Sequence, residues 1–222
     1  MFQLEGERTN MCPSPVPESP VVSRKDLEAT RAGIAYKKTS ASLNKKLNTF
    51  GFSLSSTWDK EHARGGDNCV RALIDQICQP WQDFKVWDRE DHGFLRWYLA
   101  KQVEIQVAGG RQDHFLRGQA KAEPKAFIEK MGQDEEFMNN DFLFSTARVL
   151  NKDIYVVESF DCEDNIVVFR GGPGGGPGKG PSLLLAHLSS EEAGKDYYQS
   201  IVTSSNSDPT SQLMTLPVLE QR

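Results

Sequence analysis

The sequence has 222 residues, of which 38% are hydrophobic and 26% charged, and its formal net charge is −5. A chain of this length can bury one sizeable core, so we expect one domain with tails. The small acidic excess gives no basic surface for nucleic acid or an anionic membrane, and no apolar run has the length of a membrane span.

The four cysteines are predicted to be free thiols. Cys69 and Cys78 would lie on one helix roughly 13 Å apart, which is beyond the reach of a disulfide. Because no cysteine follows zinc-site or CxxC spacing, we expect no metal and no cofactor. Free thiols and the lack of a signal-peptide core favour the cytosol or the nucleus, and we expect a cytoplasmic protein.

Residues 1–40 are predicted to form a disordered leader. The segment Pro13–Pro20 is rich in proline, and the polar, charged stretch that follows it can bury little surface. The folded domain is expected at residues 41–202. Near its start, the alternating residues Phe50, Phe52 and Leu54 predict a short strand.

A cysteine at the start of an amphipathic helix is the candidate nucleophile. Gly65 to Asn68 is a turn signal, and the apolar residues that follow it at helical spacing are Val70, Leu73, Ile74 and Ile77. Asn68 is the predicted N-cap, which places Cys69 in the first turn, where free N–H groups and the helix dipole favour a thiolate or an oxyanion. The alternative is a plain core residue, because free cysteines are among the most often buried residues.

Three further helices and four strands are predicted after this segment. The helices are Phe94–Val107, Lys125–Met131 after Pro124, and Asp141–Leu150, capped by Asn139-Asn140 at its start and closed by Asn151. The strands are Asp153–Glu158, Asn165–Arg170, Ser182–Leu188 and Tyr197–Val202. Residues 171–181 are a Gly/Pro tract with no means of forming a packed element, and residues 203–222 are expected to be a disordered tail. Because the predicted helices come first along the chain and most of the predicted strands come last, we expect a sheet packed against helices in one α/β unit.

The segment Asp67–Leu73, which reads Asp-Asn-Cys-Val-Arg-Ala-Leu, resembles the nucleophile segment of ovarian tumour (OTU) domain cysteine proteases, which remove ubiquitin from proteins. That family usually reads Asp-Gly-Asn-Cys, then an apolar pair and Arg-Ala. Here Asp and Gly are transposed, and one apolar residue stands between Asn-Cys and Arg-Ala. The order of helices and strands over about residues 45–202 is also similar. The resemblance implies an α/β, OTU-like fold with a small β-sheet packed against helices.

The resemblance also implies roles for two residues and a partner. Cys69 would be the nucleophile or its relic, and Asp67 the acidic member of an oxyanion loop. The partner would be ubiquitin or a ubiquitin-like protein, and the reaction the hydrolysis of isopeptide bonds after the ubiquitin C-terminal glycine.

The family's histidine is missing from its usual place at the start of the last strand. The matching segment, Lys195–Ser200, has Tyr197 in that position and Gln199 where an Asp or Asn would orient the histidine. A phenol with a pKa of about 10 is not a base at neutral pH, and glutamine offers no charge to an imidazolium. The sequence therefore predicts an OTU-type ubiquitin isopeptidase lineage with impaired catalysis.

His187 is the candidate replacement base. If the strands at 182–188 and 197–202 form a hairpin, His187 lies within a residue or two of Tyr197 across the ladder. Its side chain reaches the Cys69 helix only if the register and face are right, because a slip of one residue turns it to the other face. Otherwise His187 is a hydrogen-bonded strand residue. No positional argument singles out His92 or His114.

Two other functions stay open at this point. A non-catalytic pseudoprotease would hold ubiquitin or a relative through the same groove without cutting it. A scaffold would attach its partners at the Pro-rich leader and at the C-terminal tail. A histidine beside the Cys69 sulfur would favour the enzyme, and its absence would favour the binding protein.

Overall fold

The computed structural model describes residues 38–55, 67–79, 92–134, 138–159, 166–190, 195–203 and 219–221. The described helices, α1 to α7, are 38–48, Asn68–Ile77, His92–Ala108, Gln112–Phe115, Gly118–Ala122, Pro124–Gly132 and Asn140–Leu150. The described strands, β1 to β6, are Phe52–Leu54, Ile154–Glu158, Ile166–Phe169, Leu183–Ser190, Lys195–Thr203 and Leu219–Gln221. None of these helices is long and apolar enough to cross a membrane.

The strands form one mixed sheet in the order β1-β5-β4-β2-β3-β6. Strand β4 pairs antiparallel with β5 and parallel with β2, while β2 pairs antiparallel with β3. One face of the sheet carries α2, α3, α6 and α7, and the other carries α1. The predicted α/β unit with a sheet packed against helices is therefore confirmed.

Local signals set the ends of α7 as predicted. The side-chain oxygen of Asn139 accepts hydrogen bonds from the backbone N–H groups of Asp141 and Phe142, at 3.1 and 3.0 Å. Asn151 ends the helix in the left-handed conformation, with φ of 52°. The helix therefore spans the residues between its two asparagine caps.

The predicted N-cap of α2 is wrong. Asp67 takes the cap position without a side-chain capping bond, and Asn68 is the first helical residue. The Asn68 side chain instead accepts a hydrogen bond from the Tyr198 backbone N–H, at 3.2 Å. The side chain that could have capped the helix thus joins α2 to β5.

The Gly/Pro tract is packed, contrary to the prediction. Asp153 Oδ1 accepts hydrogen bonds from the N–H groups of Gly171 and Gly178, at 3.0 and 2.7 Å. The Lys179 N–H donates to the Asn151 carbonyl at 2.7 Å. Because glycine has no Cβ, the tract can lie directly against the backbone at the start of β2.

The boundaries of the folded domain differ from those predicted. Helix α1 already covers residues 38–40, which the leader was expected to include. Strand β6, Leu219–Gln221, pairs parallel with β3, so the prediction of a disordered tail is wrong at these residues. Predictions for 1–37, for the loop glycines Gly65 and Gly66, for 160–165 and for 204–218 lie outside the described residues.

Candidate active site

Cys69 lies in the first turn of α2, as predicted, and its side chain is fully buried. It belongs to the apolar core between the helices and the sheet, together with Leu183, Leu185 and Tyr198. The position at a helix start is that expected of a nucleophile, whereas the burial is that of a core residue. The electrostatics and the neighbours of the thiol therefore decide what it can do.

A buried glutamine on α2 holds the helix on the sheet. Gln76 Nε2 donates to Ser200 Oγ at 2.9 Å and to the Ile201 carbonyl at 2.6 Å, and Oε1 accepts from the Leu184 N–H at 2.9 Å. Since Asn68 binds β5 at the other end of α2, both ends of the helix are tied to the central strands. The place of Cys69 above β5 is thereby fixed.

A buried ion pair stands behind the start of α2. Arg96 Nε and Nη2 donate to Asp67 Oδ1 at 3.0 and 2.6 Å, and Arg96 Nη1 donates to the Met131 carbonyl at 3.3 Å. The Arg96 side chain is 0% exposed. The predicted acidic member of the oxyanion loop is thus bound to an arginine that the sequence analysis missed.

A signal for Arg96 does exist in the sequence. Arg96, Leu99, Ala100 and Val103 follow the i, i+3, i+4, i+7 spacing of a buried helix face, and all four are buried in α3. A charged residue at a core position of such a stripe requires a buried partner of opposite charge. Its partner could not be identified, because Asp67 lies on a different element.

Burial raises the pKa of the Cys69 thiol well above its ordinary value, and the positive charge of Arg96 lowers it by a smaller amount. Because Asp67 is paired with Arg96, its carboxylate offsets part of the help that the guanidinium gives to a thiolate. At neutral pH the thiol is therefore protonated. A base or an opening of the site is needed to activate it.

Tyr197 and Gln199 do not face Cys69. Tyr197 packs in the core on the α1 side of the sheet, where burial raises the pKa of its phenol. Gln199 Nε2 donates to the Ser55 carbonyl at 2.7 Å, beside β1. Side chains alternate along a strand, so the residues of β5 that face α2 are Tyr198 and Ser200. Tyr197 was predicted to occupy the position of the catalytic histidine, but its side chain points to the opposite face of the sheet from Cys69, so the prediction is wrong in this respect.

His187 lies on the same face of the sheet as α2, as the hairpin hypothesis required. It pairs directly with Tyr198 across the β4–β5 ladder, one residue from Tyr197. The imidazole stacks on the Tyr198 ring, with centroids 4.7 Å apart and planes 16° apart, and its Nδ1 is hydrogen-bonded to Glu158 Oε2. No hydrogen bond joins Cys69 to an imidazole within the described ranges.

The two other described histidines lie elsewhere. His92 begins α3, and its Nε2 is 3.2 Å from Arg71 Nη2. His114 is on α4, where burial and then the charges of Arg148 and Arg111 lower its pKa. His62 is outside the described residues. Of the described histidines, His187 is the one that stacks on a β5 residue facing α2.

Substituting Tyr197→His together with Gln199→Asn is expected not to increase the reactivity of Cys69. The new imidazole would enter the core on the α1 side and leave polar atoms buried there, at a cost of about 1–3 kcal/mol. The measurement is the rate at which a ubiquitin probe with a C-terminal electrophile labels the thiol. The urea midpoint of each protein is measured as well, to report its stability. A higher labelling rate in the double variant would contradict the described direction of Tyr197.

Comparisons with known proteins support the fold. No protein-family model and no curated protein sequence matches the chain significantly. Among solved structures, the OTU domain of OTUD1 matches with a TM-score of 0.53 and 18% identity, over 76% of this chain and 97% of that one. The chain therefore has an OTU-like α/β fold, and at this identity the likeness concerns the fold alone.

Proposed function

We propose that this chain is a thiol-dependent ubiquitin isopeptidase of the OTU lineage in which Cys69 holds the position of the nucleophile and catalysis is impaired. The observation that carries the proposal is the start of α2: Cys69 lies in its first turn, beside Asn68, which binds the β5 backbone. The segment that contains Cys69 resembles the family's nucleophile segment, and the chain as a whole has an OTU-like fold. The proposed partner is ubiquitin or a ubiquitin-like protein.

The impairment follows from three features of the site. The thiol is fully buried with a raised pKa, Tyr197 and Gln199 face away from it, and no imidazole is hydrogen-bonded to it in the described part of the chain. While the thiol is buried and in contact with no base, the site lacks general acid–base catalysis, which is worth a factor of roughly 10²–10⁴ in rate. We therefore expect little or no cleavage of ubiquitin chains at pH 7.5.

A ubiquitin probe with a C-terminal electrophile tests this proposal. Labelling is expected to be slow at pH 7.5 and faster at pH 9, because the thiolate fraction of a thiol below its pKa rises with pH. Cys69→Ala should abolish labelling. The matched control is Cys78→Ala, just after the same helix, which should leave labelling unchanged. Labelling that persists without Cys69 would refute the nucleophile, and rapid chain cleavage would refute the impairment.

The second candidate function is ubiquitin binding without cleavage. The complete burial of the Cys69 thiol favours it, because a nucleophile must reach the carbonyl that it attacks. Saturable binding of ubiquitin by the natural chain and by Cys69→Ala alike, with no probe labelling between pH 7.5 and 9, would support this function over the first.

The remaining expectations stay predictions. A cytoplasmic location would keep the thiol of Cys69 reduced. Attachment of partners at the Pro-rich leader or at the C-terminal tail, the scaffold hypothesis, concerns segments that lie almost entirely outside the described residues.

A further inference from the structure

A glutamate and a histidine lie in an otherwise apolar part of the sheet, on the face that carries α2. Glu158 at the end of β2 pairs in register with His187 on β4, and their side chains are 18% and 14% exposed. The residues before them on the same face, Val156 and Leu185, belong to the core. A polar pair in such a place costs desolvation energy that apolar side chains would avoid, so it calls for an explanation beyond packing.

Tyr198 connects this pair with the start of α2. Its ring stacks on the His187 imidazole, and its backbone N–H donates to Asn68 Oδ1 at 3.2 Å. A row of contacts therefore runs from Glu158 through His187 and Tyr198 to the residue that precedes Cys69. The Glu158 bond at Nδ1 and the Tyr198 stack together fix the plane of the imidazole.

The His187 imidazole also lies at the N-terminal end of α2, which is the end that carries Cys69. Gln76 binds Leu184 and Ser200, whereas Asn68 binds Tyr198, the direct partner of His187. The helix from Asn68 to Gln76 is roughly 12 Å long, and β4 rises roughly 10 Å from Leu184 to His187. The two lengths agree, so α2 lies along the strands with its first turn at the level of the imidazole.

We propose that Glu158 is a positioning residue that holds His187 as the general base of Cys69, so that the base comes from β4 and not from β5. This inference rests on the proposed function. A carboxylate bound at Nδ1 keeps the proton on that nitrogen, which assigns Nε2 to proton exchange with the substrate side. The contact between Nε2 and the thiol forms whenever the site opens and exposes the thiol to an electrophile, since catalytic hydrogen bonds are often long in the free protein.

The proposed reaction balances on these residues alone. His187 Nε2 takes the proton of the Cys69 thiol, and the sulfur electron pair forms a bond to the isopeptide carbonyl carbon, whose π electrons move onto oxygen. When the tetrahedral intermediate collapses, the C–N bond breaks and His187 returns the proton to the leaving lysine amine. His187 then takes a proton from a water molecule, whose oxygen forms a bond to the thioester carbonyl carbon. When the C–S bond breaks, the ubiquitin carboxyl group is released and His187 returns the proton to the sulfur of Cys69.

Other titratable and charged groups also lie around the start of α2. On the elements packed there they are Asp67, Arg71, Asp75, His92, Arg96 and Tyr198. None of these residues is changed in the His187 and Glu158 variants proposed below, so any effect that they have on the reactivity of Cys69 is the same in those variants and in the natural chain. The exception is the His92 control.

The test is the pH dependence of Cys69 alkylation in the full chain, followed by mass spectrometry of the Cys69 peptide with both iodoacetamide and the ubiquitin probe. With the base in place, the rate should rise less than tenfold per pH unit between 7.5 and 9.5. His187→Ala should lower the rate about tenfold or more at pH 7.5, restore the full tenfold rise per unit and nearly match the natural chain at pH 9.5. Glu158→Gln should also lower the rate at pH 7.5 and steepen its rise with pH. Glu158→Asp should recover part of the lost rate.

The matched control is His92→Ala, which removes the imidazole that contacts Arg71 on α2. It should keep the shallow pH dependence of the natural chain. Equal rates with and without His187 at pH 7.5, or a loss that is the same at pH 7.5 and 9.5, would overturn the proposal, since the second result indicates a structural role. A His187-dependent reaction with iodoacetamide without any ubiquitin-probe labelling would refute the proposed function and leave the acid–base pair standing.

Discussion

Arg96→Met is expected to lower the free energy of unfolding by about 3–5 kcal/mol. The substitution keeps much of the side-chain volume in α3 but leaves the Asp67 carboxylate buried without its cation. A buried charge that loses its cation costs far more than the ion pair contributed, because its desolvation is no longer offset by that attraction. Urea unfolding monitored by circular dichroism measures the loss, as the shift of the midpoint multiplied by the m-value.

The chain offers a matched control on the same helix. Lys101 and Glu104 also form an ion pair of 2.6 Å in α3, but their side chains are 50% and 54% exposed. Lys101→Met should therefore cost no more than about 0.5 kcal/mol. The double variant Arg96→Met with Asp67→Leu should recover most of the loss, since both buried charges are gone. If Lys101→Met destabilised the protein as much as Arg96→Met does, burial would not be the cause.

Gly171→Ala is expected to lower the free energy of unfolding by about 1–3 kcal/mol. A Cβ at this position would overlap the Lys152 nitrogen and would lie 2.5 Å from the Lys152 carbonyl oxygen. The backbone at the start of β2 cannot move away without disturbing Asp153, whose carboxylate binds the N–H groups of the tract and the guanidinium of Arg170. Thermal unfolding should show a correspondingly lower melting temperature.

Gly176→Ala, within the same tract, is the control for this prediction. Its added Cβ would come no nearer than 3.3 Å to another atom, the Pro173 carbonyl oxygen, and its φ of −71° suits any residue. We expect a change below about 1 kcal/mol. A Gly171→Ala protein that is as stable as the natural chain would show that the tract is not held against β2, and would restore the prediction that the tract forms no packed element.

Several elements could be predicted from the sequence because their signals are local. Asn139 and Asn151 define the ends of α7, Pro124 begins α6, and the apolar stripe after Asn68 predicts α2 with Cys69 in its first turn. Each depends on residues within one or two helical turns of one another, whose backbone preferences act before any tertiary contact forms.

The side-chain directions at the candidate site could not be predicted in this way. A resemblance matches residues by their position in the sequence, but successive side chains of β5 point to opposite faces of the sheet. A shift of one position therefore decides whether Tyr197 or Tyr198 faces α2. That position is fixed by the pairing with β4 and by Asn68, which is 130 residues from Tyr198 in the chain. The hypothesis for His187 had to stay conditional on register for the same reason.

The sequence by itself therefore determined the elements and the position of Cys69 at a helix start. Only the tertiary structure decided that its thiol is buried, that Arg96 lies behind it paired with Asp67, and that His187 is joined to Glu158. Secondary structure follows from neighbouring residues, whereas burial and partner choice depend on elements that are distant in sequence and meet only when the sheet assembles.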